Sequence, residues 1–250
     1  MKFILALFVF VATPVAADEP VSHMDRSLFL RSTETRPKGP SASFGSGFVI
    51  DDGGRLILCT NGHVAEETSG ETTLTLRTPD GRAHSAPLKS LIPVGVSPWV
   101  TSPDQDLAAA VIEGDDAETI GLLRAIATPL DHVAEEPPPR AALIHVVGFP
   151  GGKSVDDGAS ATVISARVAS RVVTSRGVWG KIATVYATPP VSTGGSGSPA
   201  YDPATTPPAI VGVVYAISAD ETGANYTKLV PPGDLIKLIE RTREGSDADE

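Results

Sequence analysis

The chain has 250 residues, 41% hydrophobic and 20% charged, with 24 Gly and 22 Pro spread along its length. That composition fits a soluble globular protein, and the scattered glycines and prolines imply many short elements joined by turns. A formal net charge of −10 without any Lys/Arg cluster argues against phosphate binding and so against nucleic acid as a partner.

Residues 1–17 read as a secretory signal. Lys2 supplies positive charge, Phe3 to Ala12 are apolar, and Val15-Ala16-Ala17 offers small residues for cleavage after Ala17. The apolar run is too short to span a bilayer, which takes roughly 20 residues. A secreted or periplasmic protein with no stable membrane span is expected, an uncleaved anchor being the alternative. Residues 18–43 carry little pattern beyond Leu28-Phe29-Leu30 and read as a polar leader.

From Phe44 the character changes. Phe48-Val49-Ile50, the turn Asp51-Asp52-Gly53-Gly54 and Leu56-Ile57-Leu58 predict a β-hairpin. Cys59 is the one cysteine and has no partner for an internal disulfide. Its place in an apolar run predicts a small buried core residue rather than a nucleophile. Thr73 to Arg77 alternate at period two and are turned by Pro79-Asp80-Gly81, and Leu107 to Ile112 read as a buried strand. The prolines 137–139 mark a linker over 135–140, because they hold an extended chain and remove ladder donors. Strands follow at Leu143 to Val147, Thr162 to Ala169, Val172-Val173, Lys181 to Tyr186 and Ile210 to Ile217. Asp234 then reads as the N-cap of a short amphipathic helix through Ile239, and 243–250 as a solvated acidic tail. The prediction is an all-β fold of two packed barrels, 44–134 and 141–242, the second ending in a short helix.

Three stretches carry chemistry. Gly194-Gly195-Ser196-Gly197-Ser198-Pro199 surrounds a serine with residues that permit a tight turn, in which backbone N–H groups converge to hold an oxyanion. A flexible loop is the plain alternative. A serine nucleophile needs a base, and His63 follows directly on a buried strand. The imidazole needs an orienting carboxylate, and Asp106 precedes Leu107 to Ile112, with Asp104 as the alternative. His23, His84, His132 and His145 have no comparable setting. The run Gly148 to Ser154 imitates a phosphate-binding loop, but only three residues separate Gly148 from Gly152 where four are required, and Asp156-Asp157 would repel phosphate.

Thr60-Asn61-Gly62-His63-Val64, Asp106-Leu107-Ala108 and Gly194 to Pro199 fall in the order His, Asp, Ser, at spacings of 43 and 90 residues. In this the chain resembles the trypsin-like, double β-barrel serine peptidases, particularly the bacterial HtrA (Deg) group. Val147 to Gly151 and Ser165 to Ser170 resemble the turn and strand before that group's nucleophile. The resemblance implies two six-stranded, chymotrypsin-like barrels and a Ser196-His63-Asp106 triad cleaving proteins or peptides, without metal or cofactor. It also implies an oxyanion hole at Gly194, Gly195 and Ser196, with the N–H groups of Gly194 and Ser196 as donors. The first substrate pocket falls to Pro190 and Val191 on one side and Tyr215, Ala216 and Ile217 on the other.

The departures are specific. No PDZ-like domain is expected after the helix, and no Ile-Val-Gly-Gly start is present. Ser198 stands where glycine is usual, as in the glutamyl (V8-like) branch, and Gly195 replaces Asn or Asp. Tyr215 stands where relatives carry Ser or Thr beside the catalytic Asp, which leaves a second hydrogen bond to Asp106 unassigned. With no carboxylate in the pocket and Ile217 branched, cleavage after small aliphatic residues such as Val or Ala is expected. Glutamate is the runner-up if Lys228 turns inward. The rival function is a secreted binding module that keeps the barrels but has lost turnover.

Overall fold

The computed structural model describes residues 22–36, 39–92, 98–152, 160–170, 172–177, 180–219 and 225–246. The predicted signal sequence and the end of the acidic tail lie outside them. The first half comprises β1 (Ser27–Arg36), β2 (Gly39–Asp52), β3 (Arg55–Thr60), α1 (Gly62–Glu66), β4 (Thr73–Arg77), β5 (Ala83–Pro87), β6 (Val100–Thr101), β7 (Ala108–Val111), α2 (Ala117–Ile126) and β8 (Thr128–Pro129). The second comprises β9 (Leu143–Gly148), β10 (Thr162–Val168), β11 (Val173–Gly177), β12 (Gly180–Thr188), β13 (Pro199–Asp202), β14 (Ala209–Ala219), β15 (Asn225–Val230) and α3 (Pro232–Ser246).

The β2–β3 hairpin forms where the sequence places it. Asp52 pairs with Arg55 across a two-residue loop, and both loop residues, Gly53 and Gly54, have positive φ (63° and 99°). A loop of this kind needs residues that tolerate the left-handed region. Asp51 caps the loop by accepting the Gly54 N–H at 2.7 Å.

The first sheet runs β5-β4-β1-β2-β3-β7-β6, with β8 added parallel to β2. The second runs β10-β9-β13-β14-β15-β12 and closes through β10–β12 into a six-stranded barrel, with β11 appended to β12. The two-unit, chymotrypsin-like all-β fold is therefore present. The first unit reaches eight strands because the two-residue β6 extends its edge and the two-residue β8 pairs with the interior strand β2, and no pairing among the described residues closes it as β10–β12 closes the second.

Residues 18–43, read as a leader, include β1 and the start of β2, which pair with each other from Ser27↔Phe48 to Arg36↔Gly39. The strand was hidden because Ser32 takes a core position, where its hydroxyl bonds Thr72. Helix α2 was also absent from the sequence reading. Asp116 caps it by accepting the Thr119 N–H at 3.0 Å, but only Leu123 and Ile126 give it a buried apolar face. Helix α3 starts two residues before the expected Asp234 cap, at Pro232. Proline suits a first helical position, whose N–H has no intrahelical acceptor. The helix runs on to Ser246, with Leu235, Leu238, Ile239 and Thr242 buried at helical spacing. No described helix is long and apolar enough to cross a membrane.

Strands β2, β3 and β7 are buried on both faces. Val49, Leu56, Leu58, Ala108 and Ala110 fill the first core. From the opposite faces Phe48, Ile50, Ile57, Cys59 and Ala109 meet Val147, Tyr201, Val213 and α3 in a layer between the units. Double burial explains the unbroken apolar runs, and Cys59 is a core residue whose thiol pKa burial pushes up.

Arg243 of α3 donates Nε–H to Asp52 Oδ2 at 2.8 Å and pairs through Nη2 with Oδ1, tying the C-terminal helix to the hairpin. That hydrogen bond holds the Asp52 carboxyl below its ordinary 3.8, against the opposing effect of burial. A depressed carboxylate contributes stability above the unfolded value and loses it as pH falls through the folded one. Arg243→Ala should therefore cost about 1 kcal/mol at neutral pH, since the guanidinium is half exposed. The difference from wild type should fade below pH 3.8, as read by denaturant titration at several pH values.

Candidate active site

Strand β3 ends at Thr60, and Asn61 in extended conformation leads into α1, which carries His63. His63 Nδ1–H donates to Asp106 Oδ2 at 2.6 Å, and the His63 main-chain N–H donates to Asp106 Oδ1 at 3.0 Å. Both oxygens of one carboxylate thus hold one residue, fixing the imidazole's direction as well as its tautomer. Asn61 Nδ2 donates to the Asp106 carbonyl at 2.8 Å and anchors the carboxylate's own backbone. Gly62 makes the approach feasible, because a Cβ there would lie 3.1 Å from Asp106 Oδ1. Asp106 is buried and His63 keeps a side-chain exposure of 42%. Asp104 is exposed and makes no hydrogen bond to His63.

Burial alone would lower the His63 pKa. The hydrogen bond donated to Asp106 and the charge of that carboxylate outweigh this, helped by Glu67 and Glu66, and the imidazole titrates above its ordinary 6.5.

Ser196 is half-buried in a turn shaped by Gly194 (φ 89°) and Gly197 (φ 83°). Gly197 is also confined by packing, since a Cβ there would strike the Ser46 carbonyl and Thr60 Oγ1. The Gly195 N–H donates to the Ser192 carbonyl at 3.1 Å and is not free to meet a ligand. The N–H groups of Gly194 and Ser196 have no acceptor among the described residues. The Thr193 carbonyl accepts the Gly151 N–H, and a trans peptide then points the Gly194 N–H the other way. The loop that imitates a phosphate site thus borders this turn.

No hydrogen bond joins His63 Nε2 to Ser196 Oγ, but packing brings the two segments together. The Ser46 N–H donates to the Ser196 carbonyl at 2.8 Å, and Thr60 Oγ1 donates to the Ser46 carbonyl at 2.7 Å, three residues before His63. Phe44 lines a small recess of about 30 Å³ with His63 and Glu67. The same Phe44 ring lies against Gly194, where a Cβ would sit 2.8 Å from Cε2.

The five residues expected to line a pocket do not all face one space. Val191 is buried in the barrel core and lies beneath Gly195. Tyr215 sits at a break in the β14–β15 register and packs in the layer between the units, its hydroxyl 2.8 Å from Thr184 Oγ1. Pro190 and Ala216 are partly buried, and Ile217 is 39% exposed, so it does not plug a deep slot. Lys228 pairs across the strands with Ala216, and its ammonium lies 5.9 Å from the centroid of the Tyr186 ring. Thr227, which the sequence did not single out, accepts the Val191 N–H at 2.8 Å and donates to the Pro189 carbonyl at 3.3 Å, holding that wall to β15. His23 and His145, assigned no chemistry, bond each other at 3.1 Å between the two halves.

A family model described as the trypsin-like peptidase domain matches residues 45–213. The chain belongs to the trypsin-like peptidases. Among solved structures it is similar to the MamO protease domain of Magnetospirillum magneticum (16% identity, 86% of this chain and 96% of that one, TM-score 0.59). It is also similar to the active form of the Rv3671c protease of M. tuberculosis (20% identity, 94% and 93%, TM-score 0.59). The HtrA-type protease AlgW, solved with a tripeptide, shares 20% identity over 83% of this chain and 56% of its own, with a TM-score of 0.54. At such identities these likenesses establish the fold. No curated protein matches the chain in sequence.

The raised His63 pKa has a direct test. In an NMR titration the imidazole should inflect above pH 6.5 in wild type. In Asp106→Asn it should inflect lower than in wild type, because the raising hydrogen bond and charge are gone while burial remains. An unchanged inflection would show that Asp106 does not control the imidazole.

Proposed function

We propose that this trypsin-like peptidase is an exported serine endopeptidase working through Ser196, His63 and Asp106. The observation that carries the reading is the pair of hydrogen bonds that His63 donates to one buried carboxylate. Such a carboxylate keeps the proton on Nδ1 and leaves Nε2 to act as base. Ser196 Oγ attacks the scissile carbonyl carbon while its proton passes to Nε2. The carbonyl oxygen becomes an anion received by the Gly194 and Ser196 N–H groups. Collapse breaks the C–N bond, and the leaving amine takes the proton from His63. Water then repeats the sequence on the acyl-enzyme, releasing the carboxylic acid and restoring Ser196.

The substrates are proteins or peptides. We read the preference as uncharged, with small aliphatic residues such as Val or Ala first, because no carboxylate stands among Pro190, Val191, Tyr215, Ala216 and Ile217 and a buried Lys or Arg would be left unpaired. Glu is the second preference, through Lys228, which pairs across the strands with Ala216. The signal-like residues 1–17 favour a secreted or periplasmic location. The binding-module alternative drew on Tyr215, whose hydroxyl is engaged by Thr184 while Asp106 has both oxygens occupied by His63.

A fluorophosphonate should label Ser196, and Ser196→Ala should end labelling and lower kcat by about 10⁴–10⁶-fold with the fold intact. Labelling at another serine, or turnover surviving the substitution, would remove Ser196 from the mechanism. On a peptide library, cleavage should concentrate after Val and Ala. A preference for Lys, Arg or Phe would overturn the pocket reading.

A further inference from the structure

Ser46 lies on β2 in the first unit, is fully buried, and has every polar group engaged at the junction with the second. Its N–H donates to the Ser196 carbonyl at 2.8 Å, and its carbonyl accepts from Thr60 Oγ1 at 2.7 Å. Its hydroxyl donates to the Gly194 carbonyl at 3.2 Å and accepts the Phe149 N–H at 3.0 Å. One side chain thus reaches both loops that frame the nucleophile turn. Its hydroxyl is closely packed, since a Cβ on Gly148 would lie 2.8 Å from Ser46 Oγ.

We infer that Ser46 is a positioning residue that holds the oxyanion-binding turn in its donor-out conformation. The kinetic consequence of this role rests on the proposed peptidase reading, and its geometry does not. Glycine peptides rotate at little steric cost because no Cβ resists them, so the residues that make this turn possible also leave it free to flip. Rotating the Gly194–Gly195 peptide would carry the Gly194 carbonyl away from Ser46 Oγ. The same rotation would pull the Gly195 N–H from the Ser192 carbonyl. The Gly194 N–H without an acceptor lies in the preceding Thr193–Gly194 peptide, whose carbonyl Gly151 holds, and this rotation of the next peptide would release the Gly194 end of it. The Ser46 hydroxyl opposes this rotation. Its second bond, to the Phe149 N–H, fixes the loop whose Gly151 N–H holds the preceding Thr193 carbonyl. Ser46 touches neither His63 nor Asp106 through its side chain, so its effect on the base should be nil.

Ser46→Ala and Ser46→Cys, made in the full chain, test this. A peptide aldehyde forms a tetrahedral adduct whose oxygen needs the oxyanion donors, whereas the matching peptide amide forms no adduct. Ser46→Ala should lower kcat and aldehyde affinity together by about 10–100-fold, less than the 10²–10³ expected for deleting a donor outright. KM, amide affinity and the His63 inflection should stay as in wild type, and Ser46→Cys should recover part of the loss. Equal loss for aldehyde and amide would mean a general structural role and overturn the inference. Amide hydrogen exchange provides a readout independent of turnover. The Gly195 N–H should exchange about tenfold faster in Ser46→Ala, and by an intermediate amount in Ser46→Cys if the alanine variant does not fold. Unchanged exchange overturns the positioning role. Faster Gly195 exchange in a protein whose wild type neither hydrolyses peptides nor binds the aldehyde would count against the peptidase reading and leave the positioning role standing.

Discussion

The structure depends on the burial of β2, β3 and β7 on both faces. One face of these strands fills the first core and the other meets the second barrel and α3. A strand in this position cannot slip by one residue, because every side chain would change face and find the wrong neighbour. The two units are therefore held in register by apolar packing rather than by a disulfide, and Cys59 contributes to that layer as a small buried group. The residues at the ends of these strands inherit the same rigidity. Thr60 and Asn61 close β3, Asp106 precedes β7, and Ser46 lies along β2.

On that frame the electrostatics of the candidate site are simple. Asp106 is buried and shares its oxygens between the imidazole and main chain of His63. A hydrogen bond to a carboxylate is stronger than one between neutral groups, so the imidazole is both aimed and made more basic. Glu66 and Glu67 add to the effect from the exposed side. In the proposed reaction this lets the imidazolium form as Ser196 loses its proton, without a change in geometry.

The nucleophile turn answers a different constraint. It needs left-handed backbone at Gly194 and Gly197, and it needs close approach to Ser46, Thr60 and Phe44. Glycine satisfies both demands but gives no rotational restraint. The restraint comes from the surrounding hydrogen bonds, those to Ser46, Gly151, Ser192 and Val214. A turn of flexible composition is rigid here because its neighbours hold its carbonyls.

Local chemistry made much of this legible in the sequence. The Asp-Gly-Gly hairpin, the period-two strand Thr73 to Arg77, and His63 and Asp106 beside buried strands depend on adjacent residues. Each could be read from them. Other features depend on partners distant in the chain. β1 was obscured because Ser32 occupies a core position opposite Thr72, which no local pattern reveals. Gly195 turned out not to be a free donor, because the turn closes on Ser192. Val191 packs into the core of the second barrel and Tyr215 into the layer between the units, since the Thr227 bonds and a register break in β14 set their directions. The sequence by itself determined the fold class and the identity of the reactive groups, because composition, periodicity and glycine placement act over a few residues. Tertiary structure alone decided which N–H groups stay unpaired and which side chains face inward, because both are fixed by hydrogen bonds between segments far apart in the chain.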